Sequence, residues 1–210
     1  MNLALRSARI RRVVACCGAL VALIAAAAPG AHGQVRDAAG ALPELSLYRL
    51  TGAWTNHDGT PLALASLRGE TVVVAMVYTS CTFTCPLITR EMLSVQHALP
   101  PDVRPRVRFV LASFDPARDS VGALHRHVVK MALDDRWLAL RASPADVRRL
   151  AVLLGVSYRQ LPSGDFDHSN VISVLDADGV VRFQSPRVPG DREALGKAVV
   201  AAVRAPASAR

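Results

Sequence analysis

The stretch Val77–Met92, "VYTSCTFTCPLITREM", decides how this chain is read. It ends an apolar run, sets two cysteines, Cys81 and Cys85, four positions apart, and passes into a helix-like segment. The run before it, "TVVVAMVY" (Thr71–Tyr78), is eight residues long, apolar and rich in valine. That pattern suits a central strand buried on both faces. "PLITREMLSVQHAL" (Pro86–Leu99) reads as a helix with Pro86 in its first turn, where a missing N–H does no harm. The cysteines therefore stand where a central strand hands over to its helix. Sites in α/β sheets form at that edge.

The pattern continues outward on both sides. "RVRFVLASF" (Arg106–Phe114) is a second buried strand. "DPARDSVGALHRHVVKM" (Asp115–Met131) is a helix for which Asp115 is the expected N-cap and Asp119 a first-turn companion, with tuning of a site or contact with a partner as the alternative role of the two acids. "WLALRA" (Trp137–Ala142) is a short strand. Ser143–Gly155 is a helix with Ser143 as cap, Pro144 in its first turn and Gly155 as terminator. "VSYRQL" (Val156–Leu161) suits a short edge strand. Asn170–Ser185 is a hairpin turning at Asp178-Gly179, and an amphipathic helix closes the domain. Upstream, Asp58-Gly59 in Thr51–Glu70 marks an added N-terminal β-hairpin. The alternation β-α-β-α-β-α-β-β-α predicts a three-layer α/β domain with a mixed central sheet.

The N-terminus has a different character. Met1–Arg12 carries four arginines and no acid, Val13–Ala28 is apolar, and small residues follow up to Gly33. This is the layout of a secretory signal peptide over residues 1–33, cleaved before Gln34 or retained as an anchor. The apolar run of 16 residues is shorter than the roughly 20 that a spanning helix needs. Residues 34–47 read as a flexible tether, 48–205 as the domain and 206–210 as a tail. The expected location is exported and periplasmic, with membrane contact only through that N-terminal segment. The formal charge of +8 falls once those four arginines are set aside, leaving 21 basic against 17 acidic residues. No basic run with interleaved aromatics appears, which excludes a nucleic-acid partner.

Beyond residue 33 only Cys81 and Cys85 remain of the four cysteines. Residues four apart on a helix share a face, with Cα atoms about 6 Å apart, within disulfide reach. A helix N-terminus also favours a thiolate. Three chemistries stay open: a structural bridge, a redox exchange and a metal clasp. A bridge over so short a loop removes little unfolded-state entropy. Soft thiolates select Cu(I) or zinc, and a histidine could complete such a site. His57, His97, His125 and His127 read as surface histidines. His168, in "GDFDHSNVISVL" just ahead of an apolar strand, is the one the topology can bring to the same sheet edge.

Three ordered motifs resemble the Sco/SenC family of copper-binding, thioredoxin-like cytochrome c oxidase assembly proteins. They are Tyr78, Thr79, Cys81, Cys85 and Pro86; Asp115, Pro116, Arg118 and Asp119; and Asp167, His168 and Ser169. The resemblance covers roughly Leu50–Ala205. It implies a thioredoxin-like fold and one copper ion, Cu(I) or Cu(II), held by Cys81, Cys85 and His168, with Asp167 orienting the imidazole. It implies a partner too: the apo copper-bearing subunit of a haem-copper oxidase, served by copper delivery or by reduction of its cysteines. In the second role Cys81 and Cys85 would be catalytic. Another periplasmic copper chaperone or a thioredoxin-like reductant would be a further partner. Two features depart from the family pattern: Thr82-Phe83-Thr84 supplies no carboxylate between the cysteines, and the stretch before His168, "LPSGDFDHS", is short; thioredoxins carry a proline ahead of the corresponding strand, where this chain reads Asp167-His168-Ser169. A peroxidase of the same fold would carry its nucleophile three residues after a threonine, whereas Thr79 stands two before Cys81.

Overall fold

The computed structural model of the chain describes residues 41–205. The signal or anchor segment, most of the tether and the 206–210 tail lie outside the described residues. Among those described, no helix is long and apolar enough to cross a membrane.

A hairpin of β1 (Trp54–Asn56) and β2 (Pro61–Leu62) comes first. Then follow β3 (Thr71–Val77), α1 (Thr84–Ala98), β4 (Val107–Ser113), α2 (Val121–Lys130), β5 (Trp137–Arg141) and α3 (Pro144–Leu154). The chain ends with β6 (Tyr158–Gln160), β7 (Phe166–His168), β8 (Ile172–Leu175), β9 (Val181–Ser185) and α4 (Arg192–Arg204). Seven strands form one mixed sheet in the order β2-β1-β5-β4-β3-β8-β9. β3, β4 and β5 run parallel, while β8, β9 and the hairpin pair antiparallel.

Every residue of β3 is buried. Both faces are covered, as its unbroken apolar run requires. On one face Val72 and Val74 meet Leu47, Tyr48 and Leu150 of α3. On the other, Phe109 stacks on Trp137 at 4.9 Å, and the Trp137 indole N–H donates to Gln96 of α1 at 2.8 Å. The tether gives way to the domain ahead of residue 48, since Ser46 and Leu47 are both buried. The Ser46 hydroxyl donates to the Asp178 carbonyl at 2.5 Å, and the Leu47 N–H donates to the Gly179 carbonyl at 2.9 Å. Gly179 must be glycine there. Its φ is +77°, and a Cβ would lie 2.7 Å from the Tyr48 ring.

Capping explains the helix boundaries. α3 follows the sequence: Ser143 accepts from the Asp146 N–H, and Gly155 closes the helix at φ 63°. α2 does not begin at Asp115. Residues 115–119 form a turn, and Ser120 is the cap, accepting from the Ala123 N–H at 3.2 Å. Asp115 cannot cap because its carboxylate is engaged by Arg118. The Val156–Leu161 segment is no edge of the main sheet. Its β6 pairs only with β7, as a separate two-stranded ribbon.

Candidate metal centre

α1 begins two residues before Pro86, and the cause lies in the site. Its N-cap position is Phe83, which has no side-chain acceptor. Helix starts leave backbone N–H groups without intrahelical partners. Here the Cys81 sulfur takes the place of a cap, accepting from the Cys85 N–H at 3.3 Å and lying 3.4 Å from the Thr84 hydroxyl. Cys85 is fully buried and accepts from the Tyr78 N–H at 3.5 Å. Both cysteines are free thiols.

These surroundings drive the two thiols apart. The Cys81 pKa is lowered, first by the hydrogen bond from the Cys85 thiol, against an opposing burial cost, then by Thr84 and the N–H groups of Cys85 and Phe83. The Cys85 pKa is raised by the same thiol contact and by burial. Both shifts favour the thiolate at half-exposed Cys81 and the protonated thiol at buried Cys85. Burial and the neighbouring Cys81 push the Tyr78 phenol up to about 12.

The turn that presents Cys81 is tied to β4. Asp119 is fully buried and accepts from the Thr79 N–H at 3.2 Å, from the Thr79 hydroxyl at 2.5 Å and from the Ser113 hydroxyl at 2.5 Å. It is therefore a clamp on the β3–α1 turn and not a first-turn companion of α2. The Asp115 N–H in turn donates to Ser113 at 3.0 Å.

His168 ends β7, and its ring packs edge-on against Tyr78 at 6.0 Å and against Phe114 at 5.0 Å. Nδ1 lies 3.2 Å from the Ser169 carbonyl. A carbonyl only accepts, so Nδ1 is the donor, and in the neutral ring this leaves the Nε2 lone pair for a ligand bond. The ring is thus oriented by Ser169 and not by Asp167. Alternate strand residues face opposite ways, and the Asp167 carboxylate points to an exposed ion pair with Arg159 at 3.5 Å. The outcome is that Cys81, Cys85 and His168 each offer a ligand atom within 4.8 Å of the others. Two thiolates and one imidazole are a donor set suited to copper or zinc.

Among the described residues no other histidine joins this ligand set. His57 is more buried than a surface residue: its Nδ1 accepts from the Ala139 N–H at 3.2 Å, which ties the hairpin to β5. Burial lowers its pKa and also that of the half-buried His127.

Comparison with known proteins matches the family model described as SCO1/SenC to residues 48–202. The mouse "Protein SCO2 homolog, mitochondrial" is 31% identical over 132 residues, which span 60% of this chain and 51% of the mouse protein. The chain thus spans about half the length of that relative. Among solved structures, Arabidopsis thaliana ScoI with copper bound aligns with a TM-score of 0.63 at 21% identity, over 73% of this chain and 98% of the other. BsSco, described as a member of the Sco family of cytochrome c oxidase assembly proteins with a disulfide switch, aligns at 0.64 and 23% identity, over 73% and 92%. The fold is the thioredoxin-like one of these Sco structures.

Proposed function

The chain belongs to the SCO1/SenC family, and from that premise we propose that it is a copper metallochaperone for assembly of the copper centre of a respiratory cytochrome c oxidase. Cys81, Cys85 and His168 hold one copper ion and release it to the apo copper-bearing subunit by ligand exchange. The observation that carries this is the mutual approach of the three ligand atoms within 4.8 Å. Thiolates hold Cu(I), and the added imidazole makes Cu(II) tolerable. Cys81 is half exposed and is the ligand an incoming thiolate reaches first, whereas Cys85 is buried beneath it. The work is done outside the cytoplasm, where residues 1–33 send the chain as a cleaved signal or hold it as an anchor. A second periplasmic copper chaperone or a thioredoxin-like reductant is a further partner in this reading.

One observation favours a second reading, a thiol–disulfide oxidoreductase that reduces the subunit's cysteines. Their surroundings lower the pKa of half-exposed Cys81 and raise that of buried Cys85. That asymmetry suits attack by Cys81 and resolution by Cys85. The experiment that separates the readings is complementation of an oxidase-assembly defect by the His168→Ala variant. Metal delivery predicts failure. Restoration of the oxidase would overturn delivery in favour of reduction.

A further inference from the structure

A cavity of about 600 Å³ opens on Cys81, between the first half of α1 and the last half of α2. Phe83 and Leu87 give it an apolar wall, and Phe83 is 73% exposed. Arg90, Arg126, Lys130 and the imidazole of His127 also line it, and among the described residues no carboxylate does.

Several arginines meet acids: Arg68 with Asp178, Arg108 and Arg136 with Glu70, Arg118 with Asp115, Arg149 with Asp146 and Arg182 with Asp176. Among the described residues Arg90, Arg126 and Lys130 form no ion pair. Arg126 and Lys130 are also like charges four apart on one helix, an arrangement that costs a few tenths of a kcal/mol. Cations gathered at a concave surface raise the local concentration of anions and their rate of arrival. A bare copper ion would be repelled from this entrance. Cu(I) held by two thiolates is an anion, and carboxylates on the thiols make it more so. The cavity volume lies in the range of small-molecule sites, about 300–1,000 Å³.

Resting on the metallochaperone reading, we infer that this cavity receives copper as an anionic Cu(I) bis-thiolate complex of carboxylate-bearing, low-molecular-weight thiols. The carboxylates meet Arg90, Arg126 and Lys130, and the copper lies against Cys81. Transfer is ligand exchange. The Cys81 sulfur donates an electron pair to form a new Cu–S bond. One carrier thiolate leaves with the pair of the Cu–S bond that breaks, and takes up any proton Cys81 loses; Cys85 then displaces the second carrier thiolate in the same way, and that thiolate takes up the Cys85 thiol proton. Copper remains Cu(I), so no oxidant or reductant is consumed.

The test compares two donors with the same thiolate chemistry and opposite appended charge: Cu(I)–mercaptosuccinate and Cu(I)–cysteamine. Loading rates are followed anaerobically at low ionic strength in the full chain and in an Arg90→Gln/Arg126→Gln/Lys130→Gln variant. The expected result is a loss of roughly tenfold or more in the rate from mercaptosuccinate, by the lower end of electrostatic steering, with the cysteamine rate unchanged or faster. The variant should still reach the wild-type copper stoichiometry. An Arg90→Lys/Arg126→Lys variant should load like wild type, which separates charge from packing. If the triple variant does not fold, Lys130→Gln on the exposed end of α2 gives the same donor-selective slowing in smaller measure. An unchanged ratio of the two donors' rates in the variants would overturn the inference and leave the metallochaperone reading intact. Failure of the wild-type chain to load from either donor would overturn both.

Discussion

The two sides of the metal centre are built differently. Cys81 and Cys85 sit on the rigid core, at the junction of the fully buried β3 with α1, and buried Asp119 clamps the turn between them. His168 sits on a ribbon of two three-residue strands that pairs with nothing in the main sheet. Backbone hydrogen bonds of a seven-stranded sheet fix the thiols. Aromatic contacts fix the imidazole: Phe166, on the same face of β7, packs on Tyr78 and Phe114, each at 5.2 Å. The lesson is a division of labour. The soft pair that suits Cu(I) is preset by the fold, and the ligand that adds Cu(II) is held by local packing that can yield.

The largest effect expected of this contrast lies within the thiol side itself. At pH 6 an ordinary thiol is well under one per cent thiolate. Cys81, whose pKa is lowered, stays a thiolate there, because a depressed pKa keeps the charged form until the pH falls below it. Iodoacetamide on apo protein at pH 6 should therefore modify Cys81 on the order of 10²-fold faster than an ordinary thiol, with Cys85 spared. Peptide mapping reads this, and equal labelling of both cysteines would break the asymmetry. Next, Asp119→Ala should cost about 3 kcal/mol by urea unfolding, since it strands the half-buried Thr79 N–H and removes the acceptor of two hydroxyls. Copper in both oxidation states should then bind more weakly. Phe166→Ala should act on the other side alone, weakening Cu(II) about tenfold, the lower end of effects from residues that orient a ligand, while Cu(I) binding holds. Equal losses for both ions would mean that the two sides are one rigid unit. The smallest effect belongs to Asp167→Ala. Removing its exposed ion pair should change stability by less than about 0.5 kcal/mol and leave copper binding unaltered.

The same division governs what the sequence made legible. The core side was readable because its signals are local and redundant. Thr71–Tyr78 is an unbroken apolar run, Ser143 and Gly155 bracket α3, and Asp178-Gly179 marks its hairpin. The ribbon was not, because three half-exposed residues per strand leave no periodicity and its cohesion comes from Tyr78 and Phe114, just past the ends of β3 and β4, and from the rings of β6 and β7. The motif placed His168 with the cysteines, but its orientation was misassigned to Asp167. Strand alternation turns that carboxylate away, and a strand had not been foreseen there. Asp115 and Asp119 were misread for a related reason. An acid near a helix start looks like a cap in sequence, and only the packing of β3 against β4 brings Thr79 and Ser113 to Asp119. The Arg90, Arg126 and Lys130 entrance was equally hidden, since it joins two helices 36 residues apart at their first members.

The account rests most directly on how the three ligands share the two oxidation states. We would measure Cu(I) and Cu(II) affinities by competition with calibrated chelators in the full chain and in the Cys81→Ala and His168→Ala variants. The account predicts one copper per chain, loss of both ions in Cys81→Ala, and in His168→Ala a fall in Cu(II) affinity far larger than that for Cu(I). Wild-type Cu(II) affinity in His168→Ala would remove the imidazole from the site and contradict the account.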